Sequence, residues 1–206
     1  MCPSSQTDPR AWVCRALVFG CLLTCGAVPV LGATAPIVDS KIETYPVSGE
    51  SIAEIQRSIA RNTPSRSGDT YYAGVTIWSL SATYSLIPTP QGCLIDNGDV
   101  FLKLRVHLPK LTNDLISERV RREWQRFVFS LDAHERHHTQ NAYLAATSLL
   151  AKINGRHTDV PCSRAKVIAE SATKALIERI SAYDKEFDHQ TRHGASQGAF
   201  LDPNVR

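Results

Sequence analysis

Phe127-Val128-Phe129-Ser130-Leu131-Asp132-Ala133-His134-Glu135-Arg136-His137-His138 is the stretch from which the fold is read. Phe127, Leu131, His134 and His138 recur at intervals of three and four, the period of one helical face. Val120 and Trp124 extend the stripe backwards, and Ala142, Ala145 and Leu149 extend it forwards. The pattern predicts helix from Asp114 to Asn154, as one long rod or two in succession, with Gly155 placed to end it. Within it, His134-Glu135-x-x-His138 has the form H-E-x-x-H. Residues four apart on a helix share a face, with about 5–6 Å between Cβ atoms. Two imidazoles so placed can grip one metal ion, and Glu135 can act as a base on water activated by that ion.

Outward from this helix, the preceding residues read as sheet. Lys41–Val47 is a short strand. Ser51-x-x-Glu54 is a capping box, and Ile52, Ile55 and Ile59 follow at helical spacing, so a helix is expected to end before Pro64. Trp78, Leu80, Ala82, Tyr84 and Leu86 alternate with polar residues, as do Val100, Leu102, Leu104, Val106 and Leu108. These predict two half-buried strands. Asn97-Gly98 is expected to form a hairpin between Cys93–Ile95 and the second strand. An antiparallel meander with one face on helices follows. Beyond Val160-Pro161-Cys162, a third helix is expected from Ser163 to Phe187, with Ile177, Ile180, Tyr183 and Phe187 inward and a polar, histidine-rich tail after it. The fold class is therefore α+β: a small antiparallel sheet packed against long helices, zincin-like, with H-E-x-x-H on the central helix.

The chain has 206 residues, of which 43% are hydrophobic and 21% charged. That suits one domain. A net charge of +3 with no basic run gives no argument for a nucleic-acid partner. Residues 1–35 differ from the rest. Arg10 and Arg15 precede the apolar run Ala16–Val28, and small residues follow to Ala33-Thr34-Ala35. This is the order of a secretory signal peptide, with residues 36–206 as the exported domain. The run is shorter than the roughly 20 residues a membrane span needs, so no span is expected after cleavage. Leu22-Leu23-Thr24-Cys25 resembles a lipobox, which makes lipid anchoring the lesser alternative. Periplasmic or secreted location follows. Only Cys93 and Cys162 lie outside the signal, and two cysteines in an exported chain are expected to pair.

A catalytic zinc takes three protein ligands and leaves a position open. From His138 the helix runs about 24 Å to Asn154. A returning helix of similar length regains the same level near its own end. The residues there are His189 and His193, either of which can complete the site; Asp184 and Asp188 can do so instead, or can orient a histidine from behind. Tyr183, His137 and Arg192 are the candidates to stabilise an oxyanion, and Tyr183 is expected beside Glu135 as a catalytic residue.

Gly74-Val75-Thr76-Ile77-Trp78, Cys93, Leu108-Pro109, Trp124, His134-Glu135-x-x-His138 and Asp188-x-x-Thr191-x-His193-Gly194 occur in one order. Together they resemble the bacterial domain of unknown function 922 family, described as predicted secreted zinc-dependent proteases. The resemblance covers roughly residues 40–200. It implies Zn2+ as cofactor, a protein or peptide substrate and, through its Thr-x-His-Gly motif, His193 as third ligand with His134 and His138. The expected function is an exported zinc metallopeptidase with Glu135 as base. The rivals are an amidase acting on cell-wall peptides, an envelope protein with a structural zinc, and a metal-free binding module.

Overall fold

The alternating residues 100–108 form the strand on which the fold is hung. In the computed structural model, which describes residues 35–113 and 115–205, Val100, Leu102, Leu104, Val106 and Leu108 are all buried. In chain order the elements are β1 (Ile37–Val47), α1 (Ile52–Asn62), the two-residue strands β2 (Arg66–Ser67) and β3 (Thr70–Tyr71), β4 (Val75–Thr89), β5 (Gly92–Leu111), α2 (Glu118–Ile153), β6 (Arg156–Thr158) and α3 (Cys162–Thr191). Residues 1–34 of the expected signal segment lie outside the described residues. Among the described residues, no helix is long and apolar enough to cross a membrane.

The architecture is α+β, with three helices and a mixed sheet. β5 pairs antiparallel with β4 on one edge and parallel with β1 on the other, and β6 adds three antiparallel pairs at Cys93–Ile95. The expected antiparallel sheet is corrected here by β1. Parallel neighbours need a long crossover, and α1 together with β2, β3 and β4 supplies one. A second correction concerns Asn97-Gly98. The β4–β5 hairpin turns earlier, where Thr89 faces Gly92. Asn97, with φ 51°, instead sits in a bulge: the partner of β4 steps from Asp99 to Asp96 while β4 advances only from Thr83 to Ser85. Hairpin turns and bulges both favour Asn-Gly because both need backbone that a larger residue resists. The bulge also receives the end of α2, since Gly98 donates to Asn154 Oδ1 (2.6 Å) and Asn154 Nδ2 donates to the Gly98 carbonyl (3.1 Å).

α1 begins with the expected capping box on Ser51 and Glu54. α2 is one uninterrupted helix of 36 residues, capped by Ser117, whose hydroxyl accepts from Val120 N. α3 continues past the expected end at Phe187 to Thr191, so Asp188 and His189 are helical. Its buried side is Leu176, Ile180, Asp184 and Thr191, whereas Tyr183 is 51% exposed. The inward face is thus rotated from the one expected, because Asp184 takes a place that hydrophobicity alone assigns to Tyr183. Cys93 and Cys162 are joined, as expected, tying the start of β5 to the start of α3. Closing a loop of 69 residues contributes roughly 4 kcal/mol in the chain-entropy model.

Two apolar clusters result. One joins Leu80, Val100, Leu102 and Leu104 to Ala142, Ala146 and Leu149 of α2 and to Leu176 and Ile180 of α3. The other joins Val47, Ile55, Ile59, Val106 and Leu108 to Val120, Phe127 and Leu131 of α2, with Leu201 from the C-terminal segment. Along α2 the interval between the clusters holds His134, Glu135 and His138, all buried.

Candidate metal centre

His134 and His138 lie one turn apart on the buried side of α2, 3% and 6% exposed. Asp184 and Asp188 lie one turn apart on α3 and face them. Asp188 Oδ1 is 3.0 Å from the Nε2 of both histidines. Donor atoms of His134, His138 and Asp188 all fall within 4.8 Å of one another, so the three can hold a metal ion. Ligands at about 2.0–2.1 Å around a tetrahedral ion stand roughly 3.3 Å apart, close to the separations found here.

The hydrogen bonds behind the histidines decide what those Nε2 atoms present. His138 Nδ1 is 3.1 Å from Asp184 Oδ1. Asp184 also accepts from Asn141 Nδ2 (2.8 Å) and Trp78 Nε1 (2.9 Å). A carboxylate so engaged is an acceptor, so His138 Nδ1 carries the hydrogen. His134 Nδ1 faces Gln197 Oε1 at 2.9 Å, again an acceptor. As neutral imidazoles, both rings therefore turn lone pairs towards one carboxylate oxygen. Three acceptors meeting at one point need a cation between them, which is the chemistry of a metal site with oriented histidines. Without a metal, a proton does this work. Burial opposes charge on His138, but its hydrogen bonds to Asp184 and Asp188 outweigh that and raise its pKa to about 10. Burial would raise Asp188, yet the two imidazoles hold it well below the usual carboxylate range.

Glu135, 4% exposed, is placed by β4. Thr76 Oγ1 donates to its Oε2 at 2.8 Å. A Cβ on Gly74 would lie 2.6 Å from Glu135 Oε1 and 2.9 Å from Leu131 Cδ1, so a larger residue here would push the ends of these side chains aside. Since side chains alternate along a strand, Gly74, Thr76 and Trp78 address the site in turn: room for Glu135, a hydrogen bond to Glu135, and a hydrogen bond to Asp184. Burial pushes the Glu135 carboxyl up, against the lowering by Thr76 and the two imidazoles.

A cleft of about 590 Å3 opens onto this group and is lined by Glu135, both histidines, Asp184 and Asp188. His193, expected from the resemblance as third ligand, stands at the rim and outside the gathered trio. Its ring lies 4.3 Å from Tyr72, and its Nδ1 is 3.7 Å from Asp188 Oδ2. The helix end explains the position. Arg192 and His193 both have left-handed backbone, φ 52° and 51°, so the chain turns away as soon as α3 stops. Gly194 then packs against His134, where a Cβ would sit 2.9 Å from His134 Cγ. His189, the other histidine considered, is the last basic residue of α3 and forms no part of the trio.

Arg192 and His193 line the cleft. Tyr183 and His137 are not among its lining residues; Tyr183 Oη is 3.3 Å from His137 Nε2, and His137 stacks on Phe187 at 3.8 Å. Sequence reasoning overlooked Thr76, Trp78, Asn141 and Gln197 as orienting groups. Period two from Gly74 to Trp78 and the four-residue interval between Asp184 and Asp188 were the available signals. Gln197 had none.

A family model described as "Bacterial protein of unknown function (DUF922)" matches residues 42–194. No curated protein and no solved structure matches the chain.

Proposed function

Because the chain belongs to the DUF922 family, whose description carries no function, its chemistry must be read from its own side chains, and we propose that it is a zinc-dependent hydrolase of peptide bonds. One observation carries this reading: two oriented imidazoles and a carboxylate oxygen converge beside a buried glutamate, at the floor of an open cleft. His134, His138 and Asp188 would hold the ion. Two nitrogens and one carboxylate suit zinc, and match the donor types of known catalytic zinc sites. When bound, zinc supplies Lewis acidity at the reacting carbonyl and at water. The carboxylate ligand leaves one net positive charge for that purpose.

Glu135 is the general base. It takes the proton of the attacking water and hands it to the departing amine. Both tasks gain from a carboxyl whose pKa is raised towards the working pH, the direction in which burial pushes it. The Thr76 hydroxyl fixes which Glu135 oxygen is free to face the cleft. Asp184 and Gln197 hold the two imidazoles in the tautomer that leaves Nε2 unprotonated. Arg192 and His193, at the rim, are the donors available to a developing oxyanion. The position of Tyr183 beside His137 does not favour that role for it. In this reading H-E-x-x-H on the central helix is used as in zincins. The Cys93–Cys162 bridge supports an exported location.

The test is digestion. The purified protein, loaded with zinc, is incubated with a peptide library and, separately, with wall-derived muropeptides, and products are read by mass spectrometry. Cleaved peptides that disappear with Glu135→Gln support the peptidase. Cleavage confined to muropeptides reassigns the substrate to the wall. Absence of turnover in both, with zinc retained, leaves a structural metal.

A further inference from the structure

We infer that the cleft selects substrates with a bulky apolar side chain beside the bond attacked, and that the C-terminal segment 198–202 sets this preference. The inference deepens the hydrolase reading and rests on it. The cleft is one cavity with two unlike ends. The polar end holds Glu135 and the candidate ligands. The other is lined by Ile59 of α1, Phe127 and Leu131 of α2, and Ala199, Phe200 and Leu201. Leu131 and Phe127 precede Glu135 by four and eight residues on the same face of α2. The apolar end therefore starts about one helical turn, roughly 5.4 Å, from the base. In an extended chain bound with its carbonyl at Glu135, an adjacent side chain reaches that distance.

The wall opposite α2 is held in place rather than merely leaning there. Arg126 donates to the carbonyls of Gly198 (2.7 Å) and Phe200, and its guanidinium is fixed in turn by both oxygens of Glu123. Glu123 Oε1 accepts from Asp202 N at 2.6 Å, and Gln56 Nε2 donates to the Leu201 carbonyl at 3.2 Å. Leu201 is 5% exposed and anchors the segment in the core. Backbone bound at Gly198, Phe200, Leu201 and Asp202 makes a preformed wall, and a preformed wall discriminates because its shape costs nothing to assemble. This wall also lies beyond residue 194, where the family match ends. Residues 198–202 supply no member of the His134, His138 and Asp188 group, so what the segment brings to the cleft is the shape of its wall.

The experiment has two arms. Zinc-loaded protein is given a peptide library, and residues flanking each cut are counted; Gly-, Leu- and Phe-containing peptides are titrated calorimetrically into zinc-loaded Glu135→Gln protein. Leu or Phe should be favoured over Gly at one flanking position by about 10- to 100-fold, the scale of burying one large apolar side chain. Ala199→Leu, which fills the apolar end, should shift the preference about tenfold towards Ala and Gly with zinc content unchanged. Arg126→Ala, which frees the wall without filling it, should flatten the preference, and it decides the matter if Ala199→Leu does not fold. Cleavage indifferent to the flanking side chain overturns this inference and leaves the hydrolase standing. Selective binding of apolar peptides without cleavage by the wild type upholds the pocket and overturns hydrolysis. Neither binding nor cleavage overturns both.

Discussion

Two helical turns face each other across the candidate site, and they are built on the same plan. On α2, His134 and His138 are four residues apart on a buried stripe; on α3, Asp184, buried, and Asp188, half-buried, are four residues apart. The histidines are announced by their setting, because apolar Leu131 and Ala142 continue their stripe on either side. The aspartates look like the wet end of a helix that is stopping. Their roles differ accordingly. Asp188 converges with the histidines on the place for an ion, whereas Asp184 stands behind His138 and is itself held by Trp78 and Asn141. A carboxylate serves in a buried site only when donors surround it. Asp184 therefore depends on a donor from β4 and on another from α2 itself.

Substitutions can separate these roles, and the largest effect is expected at the base. Glu135→Gln should lower the turnover of any cleaved peptide by about 10³-fold while changing zinc affinity little; steady-state kinetics and zinc titration on one preparation check both. Asp184→Asn should come next, weakening zinc binding by about 10- to 100-fold through the orientation of His138, with Asp188 untouched. If Asp184→Asn instead abolishes binding as completely as loss of a ligand, the division between the two aspartates is broken. Trp78→Phe removes one donor from Asp184 and should cost about 1.5 kcal/mol of stability, read from urea melts.

The smallest effect is at the far end of α2. Glu123 has its pKa lowered in the folded state, first by the hydrogen bond from Arg126. A carboxyl whose folded pKa is depressed stabilises above its unfolded pKa, near 4.3, and that contribution disappears as pH falls through the folded value. The segment 198–202 should therefore exchange its amide hydrogens faster at pH 3 than at pH 6, relative to the centre of α2. Equal protection at both pH values would show that Leu201, and not Glu123, holds it.

Much of this is legible in the sequence. Period 3.6 through residues 120–149 gave α2, period two gave β4 and β5, and two remaining cysteines gave the bridge. What was hidden shared one cause: a polar residue's place depends on partners distant in sequence. Asp188 is one of four candidates at the end of α3 in the sequence, because nothing local distinguishes a half-buried aspartate facing partners from a solvated one. Tyr183 was placed inward on hydrophobicity, while Trp78, over a hundred residues away, favours Asp184 there. Asn97-Gly98 satisfied the rule for a turn and the rule for a bulge equally, and the docking of Asn154 chose between them. Parallel pairing of β1 leaves no local mark at all. Thr76 and Gly74 were visible as a pattern, but their purpose needed Glu135 in view.

The central claim is that α3 contributes its carboxylate, and not the histidine beyond its end, to a metal held by α2. Zinc titration of the metal-free wild type, Asp188→Ala and His193→Ala, with thermal melts to confirm folding, addresses it directly. The account predicts one zinc per chain in the wild type, at least a 100-fold loss of affinity in Asp188→Ala, and a change of no more than a few-fold in His193→Ala. Loss of zinc with His193→Ala and retention with Asp188→Ala would contradict it.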